Sequence, residues 1–500
     1  MTETPSFPAR ISRRAFIGGT LAAGLAVAAC ARETTASIPT DRIDAVEAAR
    51  PHTGRTVPVE LSPGRAEIDL GGTRAATFAY GESVPGPLIR ANVGDELAVT
   101  VKNRLNHSTS IHWHGIALRN DMDGASPASP DIDAGAEFVY RFSVPHPGTY
   151  WAHPHTGLDA DTGLYLPIIV DDPNDPAKYD AEWIVVLDDW TDGVGSTPQQ
   201  IYDGLHRGGM PGMGGMPGMG GMPGMGGVGG STLLGGDAGD VSYPYYLING
   251  RIPAAPTTFG AKPGQRVRIR IINAGSDTAF RVALAGHRMT VTHTDGYPVK
   301  PTDVDAVLLG MGERYDVLVT VGDGVFPLVA LAEGKDALGR ALLSTGTGAA
   351  PEAGYRPPEL EGQVGTVDMF AATPEVDLGA DKPDTALSAE LAGGMMSYNW
   401  TINGRPFADT EPLRVTQGQR ATLTFNNMSM MWHPIHLHGH TFQVLNSGGI
   451  RGPRKDTVIV RPMQRLTVDL MADNPGEWML HCHNTYHQEA GMMTALDYVT

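Results

Sequence analysis

Val93-Gly94-Asp95-Glu96-Leu97-Ala98-Val99 returns as Pro263-Gly264-Gln265-Arg266-Val267-Arg268-Ile269 and again as Gln417-Gly418-Gln419-Arg420-Ala421-Thr422-Leu423. In each, a glycine turn precedes a run of alternating apolar and polar side chains, the period of a half-buried strand. Asn103, Asn273 and Asn427 each fall nine residues after the turn glycine. A second mark, Asn249-Gly250-Arg251 and Asn403-Gly404-Arg405, lies fifteen residues before Gly264 and Gly418. Self-similarity on this scale is a repeat of whole units. It predicts an all-β chain of three related domains, residues 50–175, 176–355 and 356–500.

Length and composition point the same way. The 500 residues leave room for roughly three domains of about 150 residues, and 63 Gly with 38 Pro suit short strands joined by many turns. Hydrophobic residues at 41% and charged residues at 18% argue against disorder throughout. The formal charge of −18, with no basic run, excludes nucleic acid as an expected partner.

Two cysteines cannot form a disulfide framework, so each needs its own reason. The uncharged stretch 15–29 follows Arg10, Arg13 and Arg14. It falls short of the roughly 20 apolar residues that span a bilayer but suits a signal-peptide core. Ser12-Arg13-Arg14-Ala15-Phe16-Ile17 resembles a twin-arginine export signal, and Val27-Ala28-Ala29-Cys30 resembles a bacterial lipobox. Residues 1–30 are thus expected to be a signal peptide, leaving an exported, extracytoplasmic chain attached to the membrane only by lipid on Cys30. The alternative is a cleaved signal with an incidental cysteine.

The copies differ where chemistry would sit. Eighteen and twenty residues after the turn glycine stand His112 and His114 in the first copy, His436 and His438 in the third, and Val282 and Leu284 in the second. A further pair follows Gly148 and Gly476 by five residues: His153-Pro154-His155 and His481-Cys482-His483. Ten residues after the first histidine of those pairs come Gly163 and Gly491, so Leu164 answers to Met492 and Asp159 to His487. In a strand, residues i and i+2 share a face, so each His-x-His is a two-pronged claw, and four claws can converge if the first and third domains meet. Cys482 must then face away from His481 and His483, toward His433, His487 and Met492. Two imidazoles, a thiolate and a thioether are the donor set of a blue-copper electron-transfer centre. Zinc tolerates two His and one Cys but gains little from a thioether. The other seven histidines, including His440, have no partner at a repeated offset and read as surface or structural.

His112-Trp113-His114-Gly115, Trp151-Ala152-His153-Pro154-His155, His433-Pro434-Ile435-His436-Leu437-His438, and His481-Cys482-His483 with His487 and Met492 resemble the four motifs of three-domain multicopper oxidases. This is the family of laccases and cuprous oxidases, and the likeness is strongest to mycobacterial-type exported lipoprotein oxidases implicated in copper resistance. The resemblance implies cupredoxin-like Greek-key β-sandwiches and four coppers per chain. It places type 1 copper on His433, Cys482, His487 and Met492, type 2 on His112 and His436, and the type 3 pair on His114, His153, His155, His438, His481 and His483. Asp123 matches the family's acidic residue near the cluster, a proton donor, although an Asp-Gly turn explains it equally. Where many bacterial relatives carry Glu directly after the type 1 histidine this chain has Gln488, with Glu489 next as the candidate acid.

Residues 210–227 repeat Met-Pro-Gly-Met-Gly-Gly three times, placing Met210, Met213, Met216, Met219, Met222 and Met225 at every third position. Such a tract builds no core and predicts a loop of the second domain, residues 208–230. Exposed thioethers suit Cu(I); the alternative is an incidental linker. Met431 matches a substrate-copper ligand of cuprous oxidases, with Ser429 where the accompanying acid would stand. The expected function is one-electron oxidation of Cu(I), with Fe(II) or phenols as further donors, coupled to reduction of dioxygen to water. The alternatives are a phenol-oxidising laccase and a non-catalytic copper-binding protein.

Overall fold

The computed structural model describes residues 40–499 apart from 174, 176, 177, 208–229, 347 and 447–449. Among the described residues helix is confined to α1 (Thr40–Ala49), α2 (Pro198–His206), α3 (Thr485–Glu489) and short 3-10 turns, and the others are in strands, turns and connecting segments. No helix among the described residues is long and apolar enough to cross a membrane.

The strand after each glycine turn occupies the same place in its sheet. Glu96–Lys102 lies between Thr56–Leu61, parallel, and Glu137–Ser143, antiparallel. Arg266–Asn273 lies between Ala181–Trp190 and Arg314–Thr320, and Arg420–Asn427 between Thr385–Gly394 and Arg465–Met471, in the same senses. The recurring asparagines explain their own recurrence. The amides of Asn103, Asn273 and Asn427 donate to the carbonyls of Ile132, Leu309 and Val460 at 2.9, 3.1 and 3.2 Å. Their side-chain oxygens each accept the backbone N–H two residues on. A buried strand end leaves polar backbone groups that must find partners, and one carboxamide supplies both a donor and an acceptor. Asn249 and Asn403 likewise accept from Val186 and Glu390 at 2.7 and 2.8 Å.

The expectation of half-buried strands is corrected in the second copy. Arg268 and Arg270, which should face water, are only 3% and 2% exposed, because the copies pack against one another. Both guanidiniums reach the Asp316 carboxylate, at 2.6 and 2.9 Å, which offsets part of the cost of removing charge from water.

Candidate metal centre

The strands His112–His114 and Gly148–His153 pair so that His112 lies opposite His153 and Trp113 opposite Ala152. The alternation sends Trp113 inward, where it is fully buried against Tyr140 and Phe142 with ring centroids 5.3 and 5.1 Å apart. Burying such a ring is worth about 2–3 kcal/mol, so core packing fixes the claw that faces the other way. In the third copy Ile435 opposes Cys482 and His436 opposes His481. Directly opposed residues share a face; Cys482 therefore joins Ile435 and His433 on the core side, while His481 and His436 face outward.

The inward set is compact. Cys482 Sγ lies 3.6 Å from His433 Nδ1 and 3.7 Å from His487 Nδ1, and these two nitrogens are 3.1 Å apart. Asn484 caps α3, its side-chain oxygen accepting from the backbone of Tyr486 and His487, and this turn aims His487. The far nitrogens are held as well: His433 Nε2 by the Ser429 hydroxyl at 2.8 Å and His487 Nε2 by Asp240 at 2.9 Å. Trp400 packs on His487 with centroids 4.1 Å apart. Met492 is fully buried, and its carbonyl accepts from Cys482 N at 3.0 Å. Burial and neighbouring His487 push His433 well below the ordinary imidazole range. Burial pushes His487 the same way, but the Asp240 carboxylate prevails and raises it to about 10.

The outward set gathers eight histidines from two copies. Three groups have ligand atoms within 4.8 Å of one another: His112, His114 and His436; His114, His153 and His483; His155, His438 and His481. Their back nitrogens are anchored to groups that can only accept: His112 Nδ1 to Asp123 O (3.1 Å), His436 Nδ1 to Asp456 O (2.9 Å), His153 Nδ1 to Pro154 O (2.9 Å) and His481 Nδ1 to Cys482 O (2.9 Å). An imidazole donating from Nδ1 presents an Nε2 lone pair. His112 Nε2 and His436 Nε2 stand 3.3 Å apart, His438 Nε2 and His481 Nε2 3.1 Å. His114 Nδ1, His153 Nε2 and both nitrogens of His483 are buried without a hydrogen-bond partner. Burial holds His114, His153, His155, His438, His481 and His483 well below the usual range, so protonation does not satisfy them. Converging neutral lone pairs in a sealed site fit metal cations.

Asp123 is fully buried, with one oxygen 2.8 Å from His438 Nδ1 and the other 3.3 Å from His112 Nδ1. Glu489 is not brought to the histidines: its side chain is exposed, and its carbonyl accepts from Tyr202. Met431 is 8% exposed. Cys30 and Met210, Met213, Met216, Met219, Met222 and Met225 lie outside the described residues. Asp240 and Asp456, which stand outside the repeated histidine offsets, are further acidic residues that the fold brings to the two sites.

Comparison with known proteins supplies the family. Multicopper oxidase family models match residues 382–499, 64–175 and 181–348. The chain is similar to multicopper oxidase MmcO of Mycobacterium tuberculosis, 62% identical over 98% of this chain and 97% of that protein. It is also similar to copper resistance protein A of Escherichia coli, 28% identical over 87% and 91%. Among solved structures it resembles the laccase from Botrytis aclada, TM-score 0.73 at 25% identity, covering 91% of this chain and 90% of that one. The sandwiches are cupredoxin-like, as in these neighbours. The chain belongs to the multicopper oxidase family, oxidoreductases whose cofactor is copper.

Proposed function

We propose that the chain oxidises Cu(I) at the expense of dioxygen, four Cu(I) and four protons per dioxygen giving four Cu(II) and two waters. His433, Cys482, His487 and Met492 would hold the type 1 copper, His112 and His436 the type 2, and His114, His153, His155, His438, His481 and His483 the type 3 pair. When bound, copper at these positions supplies one-electron transfer and dioxygen reduction. The observation that carries the reading is the segment His481-Cys482-His483, whose sulfur and flanking imidazoles belong to opposite sites. Cys482 thereby offers a through-bond path from one to the other. Buried Asp123, in reach of His112 and His438, is the carboxyl we assign to proton supply.

For the donor, the support lies in what flanks residues 208–229. Before them, α2 sets Tyr202 on the Glu489 carbonyl at 3.3 Å and His206 against Tyr398, rings 5.3 Å apart. After them, Leu234 packs with Trp432, Asp237 accepts from Trp432 N at 3.3 Å, and Asp240 reaches His487. Both roots of the methionine tract thus sit beside the Cys482 site, where Met428 and Met430 are 55% and 75% exposed. Thioethers there suit Cu(I) as substrate, in line with the copper resistance named in one relative. Arg13-Arg14 and Cys30 support export and lipid anchoring; a Cys30→Ala chain recovered without acyl label, beside a labelled parent, would bear that out.

The deciding experiment compares oxygen uptake with Cu(I) and with a phenol, before and after deletion of 210–227. A selective loss with Cu(I) supports this reading. Equal losses, or phenol turnover alone, favour a laccase, and a chain that binds copper without consuming oxygen is no oxidase.

A further inference from the structure

We propose that Arg314, contributed by the copy that lost its histidines, is a positioning residue for His436 of the type 2 copper and His114 of the type 3 pair, acting through Asp456. The inference rests on the ligand assignment above. Arg314 is fully buried. Its Nη1 and Nη2 donate to the two oxygens of Asp456 at 2.7 and 2.6 Å, Nη1 also to Gly312 O at 3.0 Å, and Nε to Thr149 O at 3.0 Å. One guanidinium therefore ties together the strand that ends on His153, the turn before its own strand, and the segment beside His436.

Asp456 passes that constraint on. Its Oδ1 is 3.2 Å from His114 Nε2 and its carbonyl oxygen 2.9 Å from His436 Nδ1, while the Thr457 hydroxyl is 3.1 Å from each of those nitrogens. A carboxylate only accepts, so His114 turns Nε2–H to Asp456 and leaves Nδ1, which has no other partner, for the cluster. A planar fork fixes the plane of a carboxylate as a point charge does not. Space is reserved for the pair: a Cβ on Gly115, at φ +85°, would lie 2.3 Å from Arg314 Nη2 and 2.6 Å from Asp456 Oδ2.

The test is Arg314→Lys in the copper-loaded full chain, which keeps the charge and removes the fork. We expect the blue absorption of the Cys482 site to survive, the type 2 paramagnetic signal to vanish, copper to fall from four to three per chain, and oxygen uptake to drop about 10- to 100-fold. Arg268→Lys is the control, since Arg268 is as deeply buried but bonds Asp316 and Asp175; it should keep all four. Full copper with an unchanged type 2 signal in R314K overturns the proposal, and so does the same loss in R268K, which would mark general loosening. An independent check needs no variant: nitrogen NMR of ring-labelled histidine in the copper-free chain should show His114 as the Nε2–H tautomer, and Nδ1–H there overturns the proposal. A parent chain holding fewer than four coppers would instead defeat the ligand assignment itself.

Discussion

The first and third copies share a frame and differ at four inward positions. Where the third has His433, Cys482, His487 and Met492, the same offsets in the first hold Thr109, Pro154, Asp159 and Leu164. The outward histidines of both copies meet in one cluster. On the inner side of the first copy, Leu164 is 1% exposed, and Asp159 turns to His107 at 2.8 Å. The sandwich therefore does not require a metal inside it. On the proposed ligand assignment, electron uptake is concentrated in one copy, while the dioxygen site needs two.

The sharpest way to break this comparison is Cys482→Ser. Blue absorption should disappear and oxygen uptake fall by at least about a thousandfold, as when one member of a catalytic unit is lost, with circular dichroism unchanged. Removing all copper with a chelator should lower unfolding stability by about 4 kcal/mol at saturating metal; melting curves that superimpose would show that copper does not brace the seam between the copies. Asp240→Asn probes the inner site alone. It should slow reduction of the blue centre by Cu(I) about 10- to 100-fold while the absorption band persists. The shared frame is tested by Asn103→Ala, Asn273→Ala and Asn427→Ala, each costing about 1–3 kcal/mol in denaturant unfolding through buried groups left unpaired. Unequal values would mean the staple is not equivalent in the three copies. Smallest of all, Pro154→Cys should create no new blue band, because Thr109, Asp159 and Leu164 do not complete the donor set.

The repeat was legible because glycine turns and asparagine staples are local devices whose spacing survives in one dimension. So were the claws: alternation along a single strand sends Cys482 one way and its neighbours the other. Asp240, Asp456 and Arg314 were not legible, since each does its work across a boundary between copies, and packing between copies leaves no period in the sequence. Arg268 and Arg270 misled for the same reason, their alternation promising solvent where a neighbouring copy lies. In a helix successive residues turn about 100°, and Glu489, two positions past buried His487, is exposed.

Because the sulfur and its two flanking imidazoles are consecutive in the chain, the electron path we propose between the two sites has a length set by covalent bonds. The outward histidine cluster to which we assign dioxygen, by contrast, exists only while two separate sandwiches stay in register. Heat or mild denaturant should therefore part these functions in a fixed order, the molecule first ceasing to respire while it keeps its colour, and bleaching only later.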